Sequence, residues 1–305
     1  GAVIGTIPDL DVFAARFYDT VNSLFIHRGF SHSLVFCLLA SPLLALLLNK
    51  IYSNKDIHLR TWWKFTFLIL FGAVFIDYLT GYGASIFWPF SNYRIELNTI
   101  SIVDVFFTLP LIILLITILF TKNKTRSKLR KIAVLFGMVY LLLTGVNKIY
   151  TKKKFKDRLE DQNISYTRLM TSPQPLANFL WMGIAESGNG YHLGYYSLFD
   201  KSSINFEFIP GNKEEISQYR GNPKLEKLIR FTNGFYSVEN EDTLIVNDLR
   251  FGKLGTTENS SFIFSFRLLD NNDQLIIKEK EREMNMNKER FKQYILRVVG
   301  EKQKK

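Results

Sequence analysis

Four apolar stretches with charged edges occupy the chain between His32 and Asn147, and from about Lys148 onward the pattern turns polar, charged and strand-like. Leu34 to Leu48 carries no charge, and taking it from His32 to Tyr52 reaches the roughly 20 residues that a membrane-spanning helix needs. Thr61 to Thr80 holds only Lys64 and Asp77 near its ends, and Val105 to Thr121 and Ile132 to Asn147 are uncharged. The second and fourth are short enough to be buried soluble helices, but four in succession with basic edges predict membrane spans. Pro42 and Pro110 are compatible with such spans, because neighbouring helices re-satisfy the backbone groups a proline frees.

Beyond the spans, Tyr191–Phe199, Ile204–Ile209, Phe235–Val238, Thr243–Val246 and Ser261–Leu269 are rich in aromatic and β-branched residues and predict strands. Lys224–Thr232 predicts a short helix and Lys288–Val299 an amphipathic one, while Pro173 and Pro175 break any helix. The expected fold is a helical membrane bundle of four spans plus a truncated N-terminal helix over residues 1–150. A charged linker or helix extension over 151–165 and a soluble α+β domain over 166–300 follow. Residues 301–305 read as a frayed, solvated tail. Gly1 to Ile7 reads as the end of a small-residue helix that begins upstream.

Composition changes this picture little. Of the 305 residues, 47% are apolar and 15% aromatic, which excludes disorder, and the single cysteine, Cys37, excludes a disulfide framework. The net charge of +11 raises nucleic acid as a partner. Six Lys/Arg in 122–131 and six more in 148–158 flank apolar stretches, however, and membrane anchoring explains them more simply.

Span counting brings chemistry into view. If Gly1–Ile7 ends a helix at one membrane face, four crossings return Asp9, Asp11, His27, His32, Asp77 and Asp104 to that same face. The basic residues, ten on the opposite side against nine near this one, do not set which face it is. Asp9 and Asp11 can aim at one cation, or one can orient the other; a turn in which Asp caps the next segment is the plainer alternative. His27 and His32 are five apart, about 140° around a continuous helix. With Gly29 as a turn and Ser31 as a helix cap they converge across the bend. Asp77 ends an apolar run, where a carboxylate is costly unless paired or metal-bound. Asp104 reads as an N-terminal helix carboxylate or as support to the site. Arg28 is an anion contact, and Arg94 an anion contact or a headgroup-facing arginine. Trp88-Pro89-Phe90 reads as an interfacial anchor. His192 and Asp248 read as an ordinary strand histidine and turn aspartate.

Two histidines and several carboxylates on one face suit a hydrolytic metal site. The expected ligands are Asp9, His27, His32 and Asp77, with Asp11, Arg28 and Asp104 in catalytic or supporting roles. Zinc fits the mixed nitrogen and oxygen set best, with manganese or iron as alternatives. Location at an interface suggests a lipid-linked or phosphoester substrate. The rivals are a metal-independent histidine phosphatase, a transporter, and a non-enzymatic membrane-anchored protein whose C-terminal domain recruits a protein partner.

Gly5-Thr6-Ile7-Pro8-Asp9-Leu10-Asp11, His27-Arg28-Gly29-Phe30-Ser31-His32-Ser33 and Asp77-Tyr78-Leu79-Thr80-Gly81-Tyr82-Gly83 with Pro89-Phe90 together resemble the YdjM-like family. The resemblance is firm from Gly1 to about Asp104 and weaker through Asn178–Trp181, Tyr191–Asp200 and Asp248–Gly252. It implies a bacterial inner-membrane, multi-pass protein of a family labelled LexA-binding and metal-dependent hydrolase. Members usually open with a further small-residue helix carrying an Asp-Ser-x-Thr-His/Gln element, which is absent here.

Overall fold

The computed structural model describes residues 1–53, 55–201, 203–253, 260–271, 274–281 and 288–300. The tail expected at 301–305 lies outside them. The chain divides into two compact units, one from Gly1 to Leu97 and one from Asn98 onward.

In the first unit three short helices, α1 (Ala2–Gly5), α2 (Asp11–Ala15) and α3 (Thr20–Ile26), precede two long ones, α4 (Leu34–Ile51) and α5 (Leu59–Leu79). Asp19 caps α3 by accepting from Asn22 N, and Ser33 caps α4 by accepting from Phe36 N at 3.0 Å. The helix cap expected at Ser31 is therefore Ser33, which releases the Ser31 hydroxyl for another bond. Pro42 does not interrupt α4. Helices α4 and α5 form an antiparallel hairpin along a seam whose α4 side is made of small residues. Cys37, Ser41 and Ala45 recur every four residues on α4, and Thr66, Leu70, Val74 and Tyr78 do so on α5. Trp63 Nε1 donates to Ser41 Oγ at 3.0 Å and Thr66 Oγ1 to the Ser41 carbonyl at 2.8 Å, so the seam leaves these polar groups paired. Leu38, Leu39, Leu43, Leu46 and Leu47 stay uncovered on the outer side of α4.

In the second unit α6 (Val105–Phe120) is followed by α7 (Asn123–Asp161). Arg126 terminates α6 by donating through Nε to the carbonyls of Thr121 at 2.9 Å and Ile118 at 3.2 Å. The 39 residues of α7 run unbroken through the basic clusters, so of the two expectations for 151–165, linker or helix extension, the chain takes the second as far as Asp161. By length and composition α4, α5 and Lys124–Asp161 can cross a membrane, while α6, with 16 residues, is shorter than such a span.

The rest is two four-stranded antiparallel sheets. One holds β1 (Arg168–Pro173), β2 (Leu180–Ser187), β3 (Gly190–Ser197) and β4 (Phe206–Pro210) in that order. After α8 (Pro223–Phe231) the other holds β5 (Tyr236–Asn240), β6 (Leu244–Lys253), β7 (Phe262–Asn271) and β8 (Gln274–Glu279), and α9 (Lys288–Val298) follows. Strands β1, β2 and β8 were not expected from composition. Pro173 is tolerated because β1 is an edge strand.

Phe155 of α7 lies fully buried against Trp181, Tyr196 and Ile204. Gly183 on β2 makes this possible, since a Cβ there would meet the Phe155 ring at 2.4 Å. We predict that Gly183→Ala forces the ring aside and costs about 1–3 kcal/mol, as overpacking does. Denaturant unfolding of the detergent-solubilised protein measures this, and an unchanged midpoint would contradict the packing described.

Candidate metal centre

Five of the residues singled out by span counting come together at the end of the hairpin where α4 begins and α5 ends. Helix α3 stops at His27. Arg28 takes a left-handed φ of 58°, and Gly29 follows at a bend where a Cβ would meet the Phe25 carbonyl oxygen at 2.4 Å. A single 3-10 turn then leads to His32. The bend brings the two imidazoles to 6.2 Å, centroid to centroid.

Asp11 ties this bend to α2. Its carboxylate accepts from the Arg28 amide at 2.9 Å and the Ser31 hydroxyl at 2.5 Å, and pairs with His27 Nδ1 at 2.8 Å. His32 Nδ1 stands 3.2 Å from the same carboxylate and 2.9 Å from Ser31 Oγ. Burial alone would raise the Asp11 pKa. The bonds from His27, His32, Ser31 and the Arg28 amide outweigh it and hold the carboxyl far below the usual range. Expected in a catalytic or supporting role, Asp11 is thus occupied with four neighbours.

The other side of His32 faces two more carboxylates. Nε2 lies 3.3 Å from Asp9 Oδ1 and 3.1 Å from Asp77 Oδ2. It is buried and has no hydrogen bond of acceptable geometry among the described residues. One donor atom from each of Asp9, His32 and Asp77 falls within 4.8 Å of the others. With Nδ1 donating to Ser31 or Asp11, a neutral His32 points its Nε2 lone pair at two carboxylates. That arrangement requires a cation between them, either a proton or a metal. Without metal it is a proton: burial opposes it, but Asp11, Asp77 and Asp9 outweigh burial and push the His32 pKa up to about 10. The contact with His32 in turn lowers the Asp9 pKa against the effect of burial.

Arg28 pairs with Asp77 at 3.0 Å, donates to Thr80 Oγ1 at 3.1 Å, and lies over the Tyr82 ring at 5.0 Å. Three carboxylates against this one guanidinium leave two negative charges, which suits a divalent cation on a neutral His32. The Tyr78 hydroxyl donates to the His32 carbonyl at 2.6 Å. Arg94, expected at an anion or in the headgroups, is buried. It donates to the carbonyls of Leu24 at 2.6 Å and His27 at 3.1 Å, and lies 4.9 Å from the Tyr82 ring.

His27, expected as a ligand, falls outside the three-residue group, and Asp11 holds its Nδ1. Asp104 belongs to the second unit, where it caps α6 by accepting from Phe107 N at 3.1 Å and also accepts from the Tyr140 hydroxyl at 2.8 Å. Sequence reasoning missed the parts of Ser31, Tyr78 and Thr80; Ser31 just before His32, Tyr78 just after Asp77 and Thr80 three residues beyond it were the available signal.

A hairpin of apolar helices with a carboxylate–histidine cluster at one end defines a helical membrane protein with a candidate metal centre. Residues 1–151 match the family described as YdjM inner membrane protein. Inner membrane protein YbcI of Escherichia coli (strain K12) is 32% identical over 95 residues, 31% of this chain and 54% of that relative. The chain therefore spans about half the length of the curated relative it matches. No solved structure matches.

We predict that Asp11→Ala, which orphans the His27, Arg28 and Ser31 donors together, lowers the stability of the metal-free protein by about 1–3 kcal/mol. Denaturant titration in detergent reads the change. A loss below ~0.5 kcal/mol, the range of an ordinary surface substitution, would contradict the linking role of Asp11.

Proposed function

We propose that this is a multi-pass membrane protein in which Asp9, His32 and Asp77 hold one divalent metal, zinc first, with manganese and iron as alternatives. We further propose that it hydrolyses a phosphoester of a lipid-linked or amphiphilic substrate at the membrane face. The observation that carries the metal is His32 Nε2, buried and unbonded between two carboxylates. Three protein ligands of nitrogen and oxygen type leave the fourth position of such a metal open for water or substrate.

When bound, such a metal polarises the scissile group and lowers the pKa of its water to about 7. The chain's own residues supply the rest. Asp9, 56% exposed at its side chain, opens the group to solvent. Ser31 and Asp11 fix the His32 ring so that Nε2 faces the carboxylates. Arg28 holds Asp77 and offsets one of the three negative charges. His27 differs from the role expected of it. Asp11 holds its Nδ1, so a neutral ring keeps a basic Nε2, which makes no hydrogen bond among the described residues. An Asp–His pair of this kind suits a general base that takes a proton from water.

Elemental mass spectrometry of the detergent-purified protein tests the metal. The expected result is close to one zinc, manganese or iron per chain in the wild type and in Asp104→Asn, and loss in folded His32→Ala and Asp77→Asn. A wild type that stays metal-free after reconstitution would overturn the reading. For the reaction, His27→Gln is expected to keep the metal and to slow phosphate release from lipid phosphoesters by about 10²–10⁴-fold. Turnover that survives both a chelator and this substitution would contradict it.

A further inference from the structure

Helix α2 turns Asp11 toward His27 and Ser31 and leaves its outer side uncovered. Val12 and Phe13 are exposed, as are Phe17, at 89%, and Tyr18 just beyond the helix. The Arg16 guanidinium lies 5.4 Å from the Phe13 ring. A second uncovered set, Phe87, Phe90 at 87% and Tyr93, sits on the loop after α5. Backbone bonds fix both sets at the same end of the hairpin. Leu34 N, at the start of α4, donates to the Ile86 carbonyl at 3.1 Å, and Ser85 N donates to the Arg28 carbonyl at 3.1 Å. The Asp11 bonds hold α2 beside Arg28 and Ser31, three residues before α4. Phe30, itself exposed, meets Trp88 of that loop at 4.8 Å and Phe36 in the first turn of α4 at 5.4 Å, ring centre to ring centre, and the uncovered Leu38, Leu39 and Leu43 follow on α4.

Phenylalanine, tyrosine and arginine left bare at the end of a spanning hairpin have the composition of the bilayer interface, where amphipathic rings meet headgroups. Short in-plane helices bury their apolar side at that boundary. Continuity with the bare outer side of α4 selects lipid as the occupant over a second copy or a protein partner.

We propose that Phe13 and Phe17, with Phe87 and Phe90 across the same end, insert into the headgroup–acyl boundary and hold the Asp9–His32–Asp77 cluster at headgroup depth. This rests on the multi-pass reading above and adds a substrate class: a molecule whose phosphoester lies in the lipid headgroup layer.

The test uses the full chain with Cys37→Ala, in phosphatidylcholine–phosphatidylglycerol vesicles. Nitroxide labels go on Phe17→Cys and, independently, Phe90→Cys. Leu43→Cys in α4 serves as the deep reference and Gln218→Cys as the aqueous one. Power saturation with oxygen and a water-soluble nickel chelate reads depth. The expected oxygen-to-nickel accessibility ratio at positions 17 and 90 is several-fold above that at 218 and below that at 43. Ratios matching position 218 would overturn the anchor, and so would protection from both reagents, which would mean a protein cover. A deep label at 43 with aqueous labels at 17 and 90 would refute the anchor alone; an aqueous label at 43 would refute the multi-pass reading with it. The readout needs neither metal nor turnover.

Discussion

The Asp11 carboxylate joins three separate pieces of chain: helix α2 that carries it, the His27 end of α3, and the turn through Ser31 that leads into α4. Its partners are half-buried, and His32 is buried outright, so a protonated or missing carboxylate would leave several donors unsatisfied at once. The consequences run outward from there. With Ser31 engaged, the His32 ring is held edge-on, with Nδ1 toward Asp11 and Nε2 toward Asp9 and Asp77. With His32 held, the carbonyl that Tyr78 bonds is fixed, and α5 is tied to the start of α4.

The charge pattern that results is unfavourable without a cation. Three carboxylates crowd an imidazole whose side chain is 1% exposed, and Arg28 compensates only in part. A proton on His32 relieves the crowding in the metal-free protein. A divalent ion would relieve it more fully, and binding such an ion expels that proton. The segment that matches the YdjM inner membrane protein family, residues 1–151, contains every member of this group. Within the second unit, α7 grips the first sheet through Phe155.

Much of this was legible in the sequence, for identifiable reasons. The apolar stretches become α4 and α5 because nothing polar interrupts them except groups that find partners, as Thr66 does at the Ser41 carbonyl. The continuity of α7 was only partly legible, since its basic C-terminal end read as a linker or a helix extension. Lysine and arginine are good helix formers, however, and the helix carries through them. β8 escaped notice because Gln274–Glu279 buries only Leu275 and Ile277 and shows charge on its other side. At the site, counting crossings brought Asp9, Asp11, His27, His32 and Asp77 to one end. Which histidine meets the carboxylate pair could not be read the same way. It depends on the left-handed Arg28 and the close approach of Gly29 to the Phe25 carbonyl, which spacing does not reveal.

X-ray absorption at the zinc edge of the loaded protein addresses the centre most directly. The expected spectrum shows a single imidazole and oxygen ligands at about 2.0–2.2 Å, with the imidazole signal lost in His32→Ala and kept in His27→Gln. Two imidazoles on the metal, or a spectrum indifferent to His32, would contradict the assignment of Asp9, His32 and Asp77 as the ligands.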